Sequence, residues 1–107
     1  MLDKCLAEFD ELAERFMSSK SDEERSQVLE EAVTAAARLG SKGQEEAAET
    51  YIKLMQRVVE RGNKFLVSEG DRVRNLLQGK LTPVKKEQLQ ARLNVLLSFA
   101  VPSRDEL

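Results

Sequence analysis

The chain has no histidine and no tryptophan, one cysteine, two prolines and five glycines in 107 residues. Each shortage closes a class of function. Without histidine, the commonest general base and the commonest biological metal ligand are missing. One cysteine, Cys5, cannot form an internal disulfide, pair with an imidazole or build a Cys-x-x-Cys redox motif, so packing alone must hold the fold. No apolar run approaches the roughly 20 residues that cross a bilayer. The best stretch, Leu93 to Val101, is broken by Asn94 and Ser98. Gly40-Ser41-Lys42-Gly43 falls far from the P-loop spacing, and there is no Glu-x-x-His for a helical di-metal site. Carboxylates are plentiful, among them Glu45 and Glu49 at i, i+4 and the adjacent Glu30 and Glu31, but helical spacing assigns them to solvated faces. No cofactor is expected, and the chain offers no case for an enzyme.

What is present is charge and helical periodicity. Charged residues make up 34% of the chain and apolar ones 41%, the balance of a single small domain with wet outer faces. The formal charge of −2 hides an asymmetry: residues 1–50 carry a net −7 and residues 51–107 a net +5. An acidic and a basic surface are therefore expected. The basic residues are not interleaved with aromatics that could stack bases, so no nucleic-acid partner is expected.

Apolar residues recur at i, i+3, i+4 and i+7 throughout. Leu2, Cys5, Leu6, Phe9, Leu12, Ala13, Phe16 and Met17 form the first stripe. Ser21-Asp22-Glu23-Glu24 spells a capping box, Ser21 as N-cap with Glu24 reaching back. It opens a helix from Asp22 to Leu39 with Val28, Leu29, Ala32, Val33, Ala36 and Leu39 inward and Gly40 as its left-handed C-cap. After a loop at Ser41-Lys42-Gly43, a third helix covers Gln44 to Arg61, with Ala47, Ala48, Tyr51, Ile52, Met55, Val58 and Val59 inward and a stop at Gly62-Asn63. A fourth is expected from Ser68 to Gly79, with Val73, Leu76 and Leu77 inward beside Phe65 and Leu66. Thr82-Pro83 opens the fifth, N-cap followed by proline at the first helical position. Leu89, Leu93, Leu96, Leu97 and Ala100 are its expected core face, and Pro102 its end. No alternating stretch argues for a strand. The expectation is an all-α, compact five-helix bundle over residues 1–101 and a flexible tail over 102–107.

The tail ends Arg104-Asp105-Glu106-Leu107, a variant of the Lys-Asp-Glu-Leu retrieval signal that a receptor reads as an address for the endoplasmic reticulum lumen. Arginine for lysine keeps the positive charge. Met1 to Cys5 show none of the features of a secretory signal peptide. The chain is therefore expected to be the C-terminal piece of a longer secretory-pathway protein. Cys5 reads either as a small buried hydrophobe or as a thiol for intermolecular pairing.

Several blocks together resemble a known family. They are Cys5-Leu6 with Phe9-Asp10-Glu11-Leu12-Ala13, then Ala48-Glu49-Thr50-Tyr51-Ile52-Lys53-Leu54-Met55, then Ser68-Glu69 with Asp71-Arg72-Val73. Lys85-Lys86-Glu87-Gln88-Leu89-Gln90 follows, running into Leu93-Asn94-Val95-Leu96-Leu97-Ser98-Phe99. In this order they resemble the D-domain, the C-terminal helical domain of endoplasmic reticulum protein 29 and of D-domain-containing protein disulfide isomerases. The resemblance implies a five-helix fold placed after thioredoxin-like domains, which would carry any disulfide isomerase activity of the parent protein. It also implies a role in folding or escort of secretory cargo, and docking on the acidic tip of the calnexin and calreticulin P-domain.

An acidic partner needs a basic surface, for which Arg72, Arg74, Lys80, Lys85, Lys86 and Arg92 in the last two helices are the candidates. A second possibility is an apolar groove built on Phe65, Leu66 and Val67 with Phe99 and Val101. A third is a structural spacer or oligomerisation module that positions catalytic thioredoxin-like domains.

Overall fold

Hydroxyl side chains start three of the helices. In the computed structural model, which describes residues 6–104 and side chains as far as Phe99, the elements run α1 (Ala7–Ser18), α2 (Asp22–Ala37), α3 (Lys42–Arg61), α4 (Lys64–Leu77) and α5 (Pro83–Arg104). Ser21 Oγ accepts from the Glu24 N–H, Ser41 Oγ from the Gln44 N–H and Thr82 Oγ1 from the Lys85 N–H, each at 3.2 Å. Each hydroxyl satisfies one donor that the helix cannot pair internally. Glu24 does reach back, but its Oε2 accepts from the Lys20 N–H at 3.3 Å, one residue earlier than a standard capping box would have it.

The boundaries differ from expectation in five places, one of them the end of α4 at Leu77 and not at Gly79. The α3 helix begins at Lys42 because Ser41-Lys42-Gly43-Gln44 is itself a cap sequence. The α2 helix ends at Ala37 without a left-handed glycine: the N–H groups of Arg38 and Leu39 turn back to the carbonyls of Ala35 and Ala36 and tighten the last turn. Among the described glycines only Gly62 has positive φ, at 85°, and it separates α3 from α4 within two residues. The α4 helix starts at Lys64, before Ser68, and carries Gly70 in its interior, where packing outweighs the low propensity. The α5 helix continues through Pro102 to Arg104; the missing N–H of proline removes only one bond in the last turn.

The fold is all-α among the described residues, a five-helix bundle with a radius of gyration of 13.7 Å, close to the ~13 Å of a compact 100-residue domain. Among the described residues, helix α3 touches all four others, while α2 touches neither α4 nor α5. The acidic second helix is thus held apart from the basic part of the chain by the body of α3.

The centre is aromatic. Phe9, Phe16, Tyr51 and Phe99 are fully buried. Phe16 and Phe99 meet edge to face at 6.2 Å between centroids, and Tyr51 lies 5.5 Å from Phe9 and 6.2 Å from Phe99. Leu54, Met55, Val58, Val73 and Val95 fill the space around them. Central position explains why Leu54 is buried outside the expected α3 stripe. The α5 helix packs against α1, α3 and α4, so its buried face is wider than one stripe and takes in Val95 and Phe99. Val33 and Leu76, expected inward, are exposed. Cys5 and Leu2 lie outside the described residues, as does the side chain of Ala100.

Two carboxylates knit the helices together. Asp10 Oδ1 accepts from the Tyr51 hydroxyl at 2.6 Å and the Ser98 hydroxyl at 2.7 Å, joining α1 to α3 and α5. The Leu6 N–H donates to the same Tyr51 oxygen at 3.1 Å, which anchors the start of α1. The second carboxylate is Glu69.

Candidate docking surface

Glu69 lies in the middle of α4 with only 7% of its surface exposed. A carboxylate so placed needs partners to stay charged. One helical turn on, Arg72 supplies a two-pronged contact, Nε to Oε1 at 2.8 Å and Nη2 to Oε2 at 2.7 Å. From α5, Arg92 adds Nε to Oε2 at 2.6 Å. The hydrogen bonds from Arg72, reinforced by Arg92, lower the Glu69 pKa to about 2 against the opposing effect of burial. Glu69 is therefore ionised throughout the physiological range, and Arg72 is correspondingly held in its charged form.

Arg72 and Arg92 face a groove of about 560 Å3 between α4, α5 and the first turns of α3. Lys85 lines the same groove, as do the exposed apolar side chains of Leu76 and Val84. Of the six cations nominated from sequence, the fold brings Arg72, Lys85 and Arg92 together. Arg74 points to Asp71 at 3.9 Å, a pair exposed on both sides and therefore weak. Lys80 is exposed in the α4–α5 connection, and Lys86 is exposed on α5; neither lines the groove. Glu46 and Glu87 also line it, so its positive character is moderated by acidic walls.

The alternative apolar groove does not assemble. Phe99 and Leu66 belong to the core, Phe65 packs against it, and Val67 alone of the described members is strongly exposed. The side chain of Val101 lies outside the described residues. Exposed apolar surface is found instead at Leu76 and Val84, which sequence reading placed inward or did not single out. Among the described residues no group of three or more acidic or thiol side chains is arranged to hold a metal ion, and no helix is long and apolar enough to cross a membrane.

The sequence did not reveal Glu69 as the centre of this surface. Its i, i+3 partner Arg72 was legible as a possible helix pair. Arg92, 23 residues away, meets Glu69 only through the α4–α5 packing.

The family model for endoplasmic reticulum protein ERp29, C-terminal domain, matches residues 4–99. The chain belongs to this family. It is also similar to Protein windbeutel of Drosophila melanogaster, with 31% identity over 112 residues that cover 98% of this chain and 43% of the relative. The chain thus spans less than half the length of that relative. The match runs from before α1 to the penultimate turn of α5, so every residue that lines the Glu69 groove falls inside the ERp29 C-terminal domain region.

Proposed function

We propose that this domain is a non-catalytic protein-binding module of an endoplasmic reticulum protein of the disulfide isomerase family, and that it assists folding or escort of secretory proteins by docking an acidic partner in the groove between α4 and α5. The observation that carries the reading is the convergence of Arg72, Lys85 and Arg92 on one groove that also displays Leu76 and Val84. Cations at a partly apolar surface recruit an acidic segment and orient it, while the apolar side chains gain by being covered. Membership of the ERp29 C-terminal domain family supports the compartment, and so does the terminal Arg104-Asp105-Glu106-Leu107 read as a retrieval signal. Residues 105–107 of that signal lie outside the described residues. The acidic tip of a calnexin or calreticulin P-domain fits the chemistry of the groove. With Glu46 and Glu87 in the walls, the contact is weak and salt-sensitive.

Titration of the 15N-labelled domain with a P-domain tip peptide tests this. The expected result is shifts at Arg72, Leu76, Val84, Lys85 and Arg92 that shrink as salt is added. No shift at these positions would overturn the docking reading and leave the domain as a spacer for other parts of the protein. Removal of residues 104–107 from the full-length protein is expected to send it to the culture medium; retention without them would overturn the address.

A further inference from the structure

We propose that Glu69 is the positioning residue of the groove: its buried carboxylate holds the guanidinium groups of Arg72 and Arg92 in fixed orientation, so that a carboxylate of the partner meets a preset cationic edge. The inference rests on the docking reading above and says how that surface recognises its partner.

Three observations lead to it. Glu69 is nearly inaccessible, yet both of its oxygens are engaged, Oε1 by Arg72 and Oε2 by Arg72 and Arg92 at once. The bonds run at 2.6 to 2.8 Å, the range of charge-assisted contacts. Both arginines engage Glu69 through Nε, and each guanidinium has five N–H groups in a rigid plane. A carboxylate clasped from the Nε side therefore leaves the outer edge of each plane available to the groove that both arginines line. The third observation is the placement of the arginines. Arg92 is only partly exposed, at 29%, while Arg72 is 55% exposed and would sweep freely without its two-pronged anchor.

An arginine that is already ordered loses less freedom on binding than a loose one. Glu69 also carries a negative charge beside the site, which by Coulomb attraction alone would weaken an acidic partner. The two effects predict opposite outcomes for Glu69→Gln, and the proposal commits to the first. The isosteric amide removes a charge, so simple electrostatics makes the variant bind an anion more tightly. Loss of the clasp instead makes it bind less tightly, by roughly two- to tenfold for each side chain that must be ordered anew.

The probe is a fluorescein-labelled oligo-aspartate peptide, read by anisotropy, together with 15Nε relaxation of the arginine side chains. The expected result for the unaltered protein is Nε–H groups of Arg72 and Arg92 nearly as rigid as the backbone and far more rigid than that of the exposed Arg61. In Glu69→Gln both become mobile and the peptide binds more weakly. In an Arg72→Lys, Arg92→Lys background the same Glu69→Gln change is expected to cause no loss of affinity, because the loss acts through the two guanidinium groups.

Tighter or unchanged peptide binding by Glu69→Gln would overturn the proposal, as would an undiminished effect in the double-lysine background. If Glu69→Gln does not fold, Glu69→Asp keeps the charge but withdraws the carboxylate by one methylene. Unchanged affinity and rigidity in that variant would overturn the proposal equally. The docking reading fails separately. If the peptide does not bind the unaltered protein at any salt concentration, docking of acidic partners falls. The positioning role is then decided by relaxation alone, and Nε–H groups of Arg72 and Arg92 as mobile as that of Arg61 would end it.

Discussion

Asp10 and Glu69 are both carboxylates gripped by more than one side chain, each with at least one partner from another helix, but the grips differ in kind. Asp10 is held by two neutral hydroxyls, from Tyr51 and Ser98, beside the aromatic centre. The Tyr51 oxygen in turn accepts from the Leu6 backbone, so the network closes on the fold itself. Glu69 is held by two guanidinium groups at the edge of a groove. A hydroxyl has one hydrogen to give and is used up by one acceptor, whereas a guanidinium has donors left after the carboxylate is satisfied. The lesson is that donor chemistry separates a clasp that only binds helices together from one that can also present charge outward.

The largest expected effect tests whether the closed side holds the fold. Phe99→Ala removes a fully buried ring that touches Phe16 and Tyr51, and urea unfolding should show a loss of about 3–5 kcal/mol. A loss below that of the Glu69 clasp would reverse the comparison.

Next in size is the acid response of the open side. The Glu69 pKa is lowered from 4.5 to about 2 in the folded protein. A depressed carboxylate adds stability that is complete above the unfolded value and vanishes as pH falls through the folded one. The clasp should therefore contribute fully above about pH 4.5 and fade between there and about pH 2. Partial exposure of Arg72 limits the contribution to about 1–3 kcal/mol. Unfolding midpoints of Glu69→Gln and the unaltered protein, compared across pH, should converge at the acid end. A constant gap would show that Glu69 stabilises by packing and not by charge.

Tyr51→Phe sharpens the closed side. The ring stays in the core, but Asp10 loses one donor and Leu6 its acceptor, for an expected cost of about 1–2 kcal/mol. Amide exchange at the start of α1 should accelerate, and protection unchanged there would mean that Leu6 is anchored by other means. The smallest expected effect, about 1 kcal/mol, belongs to Ser41→Ala. It frays the first turn of α3, where Gly43 and Glu46 help to form the groove wall, and faster exchange should stay local to that turn.

Much of the closed side was legible in the sequence. Phe9, Leu12, Ala13 and Phe16 fall on one helical stripe, and all are buried. Ser21 and Thr82 announced their helices by cap chemistry and do serve as caps. Errors came where a glycine was given too much weight. Gly43 hid the Ser41 cap and Gly40 was read as a left-handed C-cap that α2 does not use, since propensity is a weak prior that tertiary packing overrides. Val33 and Leu76 lie on apolar stripes but remain exposed, because a stripe says which face is apolar and not how much of it a neighbour covers. The open side was visible only as a list of cations. That Arg72, Lys85 and Arg92 would share a groove, with Glu69 beneath two of them, depends on how α4 lies against α5, and no local period carries that information.

The isolation of α2 from α4 and α5 has an electrical consequence. Asp22, Glu23, Glu24, Glu30 and Glu31 sit on the helix that α3 keeps away from Lys85 and Arg92, so the domain carries a dipole moment along with its small net charge. In the field of an approaching anionic molecule the domain feels a torque that turns its basic flank toward the anion and the α2 flank away, before any atoms touch. At the ~8 Å screening length of physiological salt this alignment acts only over the final approach, and it would lengthen in dilute buffer as faster association with little change in dissociation.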